Sequence, residues 1–92
     1  MRRSKLELYL DVLEVFANNR PMRLTSVSLK AKISYVLLKK ITQKLVADNL
    51  IEEHKLEDFT VYTATPKAKS VLSRLKEVKQ SFPSLEEYLL NA

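Results

Sequence analysis

The side chains best able to do chemistry in this 92-residue chain are basic, and they are concentrated in its centre. Between Val15 and Ala47 there is no aspartate or glutamate. The basic residues of that segment are Arg20, Arg23, Lys30, Lys32, Lys39, Lys40 and Lys44. The rest of the chain has slightly more acids than bases, so the net charge of +5 originates here. A basic region without acids is typical of a surface that binds a polyanion, although a solvated lysine surface has the same composition.

Side chains suited to catalysis or metal binding are scarce. The chain has one histidine, His54, and no cysteine, which leaves no thiolate nucleophile, no disulfide and no second imidazole for a metal site. It also has no glycine, and therefore lacks the usual glycine-rich loop that cradles phosphate. We expect no enzymatic activity, no metal, no cofactor and no small-molecule substrate.

Length and composition indicate one small globular domain. Apolar residues make up 46% of the chain and charged residues 29%, a balance typical of folded proteins. No apolar run approaches the roughly 20 residues of a membrane helix, and Glu7 and Asp11 interrupt what would be the core of a signal peptide. We expect a cytoplasmic protein without membrane contact. Because so short a chain builds only a marginal core, a partner subunit would be unsurprising.

Two helices are predicted before residue 32. Ser4 and Glu7 have the spacing of a capping box at the start of the first helix. Its expected apolar face consists of Leu6, Tyr9, Leu10, Leu13, Phe16 and Ala17. Asn18 to Pro21 should end this helix, and Thr25 should cap a short second helix that runs to about Ala31.

A third helix is predicted from Tyr35 to Asp48, with Ser34 as its N-cap. At about 100° per residue, its inner face carries Leu37, Leu38, Ile41 and Leu45. The opposite face carries Tyr35, Val36, Lys39, Lys40 and Gln43, with Lys44 on the flank. Most of the central basic charge is therefore expected on this helix and just before it.

The second half of the chain predicts a hairpin and a helix. Two extended segments, Leu50 to Leu56 and Phe59 to Ala64, surround a tip at Glu57 and Asp58. Thr65 and Pro66 should start a fourth helix, which Pro83 interrupts. The expected fold is mainly α (α+β): a winged helix-turn-helix with three N-terminal helices, a two-stranded wing and a C-terminal dimerisation helix. Within this single domain, residues 1–65 form the core with its wing, and 66–92 form a helical segment for packing and dimerisation.

The segment from Leu24 to Glu53, LTSVSLKAKISYVLLKKITQKLVADNLIEE, resembles the core of small archaeal winged helix-turn-helix DNA-binding proteins. These include predicted transcriptional regulators and the basic, coiled-coil-dimer chromatin proteins of Sulfolobus. SKLELYLDVLEVF is similar to their first helix, and YTATPKAKSVL to the junction between wing and last helix. The chain departs from the family pattern at Ala68, where glycine is common, at the acidic Glu57 and Asp58, and at Pro83.

The resemblance and the charge distribution together imply double-stranded DNA as the partner, with the third helix in the major groove. The residues expected to contact DNA are Lys30, Lys32, Ser34, Tyr35, Lys39, Lys40, Gln43 and Lys44. Lys39 and Lys40 would meet phosphates, while Tyr35 and Gln43 could hydrogen-bond to the backbone or to base edges. Because no arginine lies on the third helix, phosphate contacts should dominate and specificity should be modest.

Other interpretations remain open. Tyr35 is equally consistent with a packing residue, and Gln43 with an idle surface residue. The main alternative function is a protein-interaction winged helix that does not bind DNA, which the acidic wing tip favours weakly. RNA binding usually needs more exposed aromatic side chains than this sequence offers. The sequence does not separate gene regulation from nucleoid packaging, or a cellular from a viral origin.

A homodimer is expected through the C-terminal segment. Apolar residues there recur at intervals of three and four, which is the spacing of a coiled-coil seam. The expected dimer interface consists of Val71, Leu75, Val78, Phe82, Leu85, Tyr88 and Leu89. The first of these, with Leu72 and Leu75, could pack beneath helix one, whereas the later ones would be left for a partner. Pro83 should bend or interrupt the pairing.

Overall fold

A computed structural model describes residues 4–81. The elements in chain order are α1 (Lys5–Ala17), α2 (Leu24–Ala31), α3 (Tyr35–Ala47), β1 (Ile51–Lys55), β2 (Thr60–Ala64) and α4 (Pro66–Ser81). This order of three helices, hairpin and helix confirms the predicted winged helix-turn-helix architecture. Within the described range, no helix is long and apolar enough to cross a bilayer.

Side-chain caps fix where most helices begin. In the capping box of α1, the Glu7 N–H donates to Ser4 Oγ at 3.1 Å and the Ser4 N–H donates to Glu7 Oε1 at 3.2 Å. Ser34 Oγ accepts the Leu37 N–H at the start of α3. Thr65 Oγ1 accepts the Ala68 N–H at 3.2 Å and donates to the Asn49 carbonyl at 2.7 Å. Local sequence therefore predicted these three helix starts correctly.

The predicted cap of α2 was wrong. This helix begins at Leu24, and its N-cap is Arg23, whose side chain makes no capping hydrogen bond. The Arg23 carbonyl accepts the first helical hydrogen bonds, and Thr25 lies inside the first turn. Leu24 is buried in the core, so the helix starts at the residue that packs rather than at the nearest capping side chain.

The core lies where α1, α2 and α3 meet the base of the hairpin. Its largest fully buried side chains are Val12, Phe16, Val27, Leu38, Leu45 and Ile51. Two details of the predicted faces were wrong. In α1, Val12 is fully buried whereas Leu6 and Leu10 are only half-buried. Because α1 contacts α2, α3, β2 and α4, its covered face is wider and rotated relative to the periodicity of its leucines.

In α3 the buried residues are Leu38, Ile41, Thr42 and Leu45. Leu37, expected in the core, is 39% exposed. At 100° per residue, Leu37 lies about 90° from the middle of the buried stripe and Thr42 only about 50° from it. Position on the helix, rather than hydrophobicity, therefore decided which of these two side chains is buried.

The hairpin is antiparallel, with a register that runs from Ile51 opposite Ala64 to Lys55 opposite Thr60. Both strands are slightly shorter than predicted, and the Leu56 N–H donates to the Phe59 carbonyl across the predicted tip at 2.8 Å. Met22, in the loop between α1 and α2, forms a further bridge to Tyr62 through hydrogen bonds of 3.1 and 2.8 Å. This bridge ties the wing to the start of the helix-turn-helix.

Tight turns form without glycine. Lys32, between α2 and α3, and Asn49, after α3, both adopt left-handed backbone conformations, with φ of 56° and 61°. Asparagine tolerates this region well, and lysine does so at a modest energetic cost. The left-handed conformation of Lys32 ends α2 and turns the chain, so that α3 begins three residues later in a new direction.

The beginning of α4 belongs to the core, because Ala68 is fully buried and Leu72 packs against the core cluster. Val71 and Val78 are exposed, and Leu75 is half-buried. Val71 is thus not covered by α1, contrary to the possibility raised by the sequence. The remaining predicted interface residues, Phe82, Leu85, Tyr88 and Leu89, lie outside the described residues, as does Pro83.

Candidate nucleic-acid interface

The outer face of α3 is exposed and carries polar and basic side chains. Val36, Lys40 and Gln43 lie on the stripe farthest from the core, because each is about 150° or more from the buried side chains' midpoint. All three are exposed, and so are Tyr35 and Lys39. The predicted outward face of this helix is therefore confirmed. Within residues 4–81, Lys39, Lys40 and Gln43 form no hydrogen bond or ion pair with other side chains.

Toward the wing, α3 borders an open cleft of about 390 Å³. Tyr35 and Lys39 line it from α3, and Arg23 and Thr25 line it from α2. The wing contributes Phe59, Thr60 and Tyr62. This cleft joins the helix-turn-helix to the wing, so a ligand that lies along α3 would also approach the wing here.

Arg23 is the residue of this region that sequence reasoning missed. Its guanidinium lies over the Phe59 ring, 3.8 Å from the ring centroid. Such cation–π stacking holds an arginine in place while leaving its N–H groups able to donate. The two residues are far apart in sequence, and only the absence of acids around Arg23 could have pointed to it.

On the opposite side of α3, Lys44 turns toward α1. Its Nζ lies 5.9 Å from the centroid of the Tyr9 ring. Lys44 thus lies on the flank of α3, as its position on the helix predicted, and its ammonium group makes a cation–π contact with Tyr9 of α1. It is less directly placed for a ligand on the outer face than Lys40.

Lys30 and Lys32 lie apart from the outer face of α3. They line a cleft of about 390 Å³ together with Asp11 and Glu14 of α1. The segment from Val15 to Ala47 contains no acid in its sequence. Folding nevertheless brings the carboxylates of Asp11 and Glu14 close to its residues Lys30 and Lys32. The basic surface is divided: Lys39 also lines a cleft that includes Glu53 of the wing, whereas Lys40 lies on the outermost stripe of α3.

Ser34 has a structural role. Its hydroxyl accepts the Leu37 N–H at 3.3 Å as the N-cap of α3. The hydroxyl proton can still donate to a phosphate oxygen, since acceptance uses only a lone pair. Ser34 and the left-handed Lys32 precede α3 directly, so the structure places both at the N-terminal end of that helix.

The wing is acidic and internally paired. The Tyr62 hydroxyl donates to Glu53 Oε2 at 3.2 Å, and burial followed by the negative charge of Glu53 raises the pKa of Tyr62. Lys55 Nζ is 3.7 Å from Glu53 Oε1. His54 Nε2 lies 2.8 Å from Thr63 Oγ1 and 3.8 Å from Glu52 Oε2, which identifies this histidine as a wing surface residue.

Glu57 and Asp58 at the tip are exposed. The wing therefore carries Phe59, on which Arg23 stacks, directly next to its negatively charged tip. No group of three or more potential metal-binding side chains occurs in residues 4–81. The geometry of the site is that of a binding surface with cationic donors.

A family model described as winged helix-turn-helix matches residues 2–82. The chain belongs to the winged helix-turn-helix family. The fold part of the resemblance seen in the sequence is thus confirmed, whereas its archaeal and chromatin aspects stay predictions. No curated protein matches this winged helix-turn-helix chain at a significant level.

Solved structures with the same fold include RV1404 from Mycobacterium tuberculosis, with a TM-score of 0.76 and 14% identity over 84% of this chain and 54% of that one. A MarR-family transcriptional regulator from Silicibacter pomeroyi has a TM-score of 0.70 and 17% identity, covering 80% and 51%. Streptococcus pneumoniae FabT, solved in complex with DNA, has a TM-score of 0.68 and 13% identity, covering 83% and 55%. This winged helix-turn-helix chain spans about half the length of these three proteins. At such identities the likeness shows the fold.

Proposed function

We propose that this protein is a double-stranded DNA-binding regulator that inserts α3 into the major groove. The observation that carries the proposal is the outer face of α3, where Lys39, Lys40 and Gln43 are exposed and unengaged within residues 4–81. The likeness to a MarR-family transcriptional regulator and to FabT, which was solved with DNA, supports it. The role is one of binding rather than catalysis, in the cytoplasm, at promoters or in nucleoid packaging.

Phosphate contacts provide most of the binding energy in this proposal. Lys39 on the wing side of α3 and Lys40 at its outermost stripe reach the sugar–phosphate walls of the groove. Ser34 and Lys32 contact the backbone at the N-terminal end of the helix. Arg23, held by Phe59, adds a cation beside the wing tip that the sequence did not single out. Gln43 faces the base edges, where an amide can pair with adenine.

Salt dependence tests the proposal. If the protein neutralises about four to six phosphates, log affinity for a random duplex should fall with log salt at a slope of about −4 to −5. The measurement is a fluorescence anisotropy titration of random and genomic duplexes at two or more salt concentrations. A salt-insensitive interaction, or no binding to any duplex at low salt, would overturn the proposal.

A protein-interaction module on the same scaffold is the second candidate. The acidic wing tip and the position of Lys30 and Lys32 in one cleft with the carboxylates of Asp11 and Glu14 favour it. The salt titration separates the two candidates, because a module of this kind would not bind duplexes in a phosphate-dependent way.

We also propose that the protein acts as a homodimer joined through α4 and the segment after it. Val71 and Val78 are exposed on α4 at a spacing of seven, which continues in sequence to Leu85. Beside them, Leu10, Leu72 and Leu75 line a groove of about 480 Å³ between α1 and α4. Polar side chains, Glu14, Asn18, Ser73 and Lys76, line the same groove. The exposed valines beside it are the apolar side chains that a two-fold partner would cover. A symmetric pair would present two copies of α3 to two half-sites.

A further inference from the structure

One apolar side chain stands in the middle of the proposed DNA-binding face. Val36 is the second residue of α3, lies on the same outermost stripe as Lys40 and Gln43, and is 68% exposed. A β-branched residue is a weak helix former, and at this exposure it adds little to the core. Folding therefore does not account for a valine at this position.

The side chains next to Val36 already have other contacts or roles. Tyr35 lines the cleft toward Arg23 and Phe59, and the Ser34 hydroxyl caps α3. Lysines act mainly on phosphates. Residues at the N-terminal end of a recognition helix are the ones that approach base edges. Val36 is thus the side chain of that end that points most directly away from the protein.

The major groove offers a valine one matching chemical feature. Base edges there carry hydrogen-bond donors and acceptors, and the C5-methyl group of thymine is their apolar group. Contact between an isopropyl group and this methyl group removes apolar surface of both from water. Gln43 lies seven residues on, about 10 Å along the helix, or roughly three base steps.

We propose that Val36 recognises thymine through its C5-methyl group and gives the protein its preference among duplexes. The inference rests on the proposed function and assigns it a specificity-determining residue. If Gln43 contacts a second base pair, preferred sites contain a thymine about three base pairs away from it.

The test compares duplexes that differ only in C5-methyl groups. An alternating A·T duplex is measured against the same duplex with deoxyuridine in place of thymidine. A G·C duplex is measured against its 5-methylcytosine form, which puts a methyl group at the equivalent position. Loss of the methyl group should weaken wild-type binding about fourfold, and its addition to cytosine should strengthen binding.

Two variants separate direct reading from an effect of DNA shape. Val36→Ser should bind methylated and unmethylated duplexes equally. Leu29→Ser makes a similar change at an exposed site of α2 and should keep the wild-type ratio. Equal wild-type affinities within each pair, or an unchanged ratio in Val36→Ser, would overturn the inference while duplex binding itself stands. Absence of wild-type binding to every duplex at low salt would overturn the proposed function.

Discussion

Lys39 and Lys40 are adjacent in sequence, but 100° of helical rotation separates their positions on α3. Lys39 borders the cleft next to the wing, whereas Lys40 lies on the outermost stripe. Two cations spread in this way face both walls of a groove rather than one phosphate. Neither is paired with an acid within residues 4–81, so DNA binding would not have to break an existing ion pair.

Changing Lys39 and Lys40 to alanine should weaken binding to all duplexes alike, because phosphate contacts carry no sequence information. The salt slope should become shallower by up to about two. Stability should hardly change, since exposed lysines contribute little to folding. Anisotropy titrations against Lys69→Ala/Lys76→Ala, which removes the same charge from α4, measure the effect. Wild-type affinity in the α3 variant would contradict the assignment of the contact.

The two threonines buried in the described part of the chain allow the effect of a buried hydroxyl on stability to be compared with and without hydrogen bonds. Thr42 is 2% exposed, and within residues 4–81 its hydroxyl has no hydrogen-bond partner. Thr65 is also buried, but its hydroxyl forms two hydrogen bonds. An unsatisfied buried hydroxyl costs free energy of unfolding, whereas a capping hydroxyl contributes to it.

Thr42→Val should therefore raise the free energy of unfolding by about 1 kcal/mol and Tm by about 4–8 °C. Thr65→Val should lower the free energy of unfolding by about 1–2 kcal/mol through loss of the cap. Both are read from thermal melts followed by circular dichroism. A lower Tm for Thr42→Val would show that its hydroxyl is satisfied in solution.

At the scale of elements, the wing is anchored along its length and negatively charged at its tip. The wing is held by the Met22 bridge to Tyr62, by the packing of Tyr62 against Phe16 at 6.0 Å between ring centroids and, next to its tip, by the Arg23 stack on Phe59. Its end carries Glu57 and Asp58. These contacts hold Arg23 beside α3 and close to the acidic tip, which DNA phosphates would repel.

Replacing Glu57 and Asp58 with lysine should tighten binding to random duplexes and increase the salt dependence, because repulsion at the tip becomes attraction. Each single change is compared with Glu77→Lys, the same kind of charge reversal on α4, which should have a smaller effect. The measurement is affinity at two salt concentrations. Weaker binding of the tip variants would mean that these carboxylates make a specific contact.

At the scale of the whole molecule, one short chain must both fold and present its proposed DNA-binding face. Within residues 4–81, α1, the helix-turn-helix and the base of the wing supply most of the buried core, and α4 joins it through its first turns, at Ala68 and Leu72. Val71 and Val78 remain exposed on the same helix. An apolar strip next to the groove between α1 and α4 is what a two-fold partner would cover.

Sedimentation should show a dimer for the full chain at tens of micromolar and a monomer for a chain truncated after Gln80. Val78→Glu should also weaken the dimer, because it places a charge in the seam, whereas Leu29→Glu on α2 should not. Loss of dimerisation should lower the affinity for paired half-sites more than for a single one. A monomeric wild type, or a truncated chain that still dimerises, would remove this model of assembly.

Local patterns were sufficient for the elements and for the outward face of α3. Caps at Ser4, Ser34 and Thr65 depend on side chains within three residues of the groups that they satisfy, so sequence spacing specifies them. Helical periodicity likewise places Lys39, Lys40 and Gln43 together, because it depends only on the geometry of one helix. The start of α2 escaped prediction because the packing of Leu24 outweighed the local preference for a threonine cap.

What only the tertiary structure decided is how the basic segment is divided. Folding places Asp11 and Glu14 beside Lys30 and Lys32, turns Lys44 toward Tyr9 and stacks Arg23 on Phe59. Each of these contacts joins residues from different elements, and their distance depends on how helices and wing pack rather than on sequence spacing. The sequence by itself determined that the chain is basic and forms a winged helix-turn-helix. The packing determined that Arg23 joins Lys39 and Lys40 near the face of α3 from which Val36 projects, whereas Lys30, Lys32 and Lys44 lie to its sides.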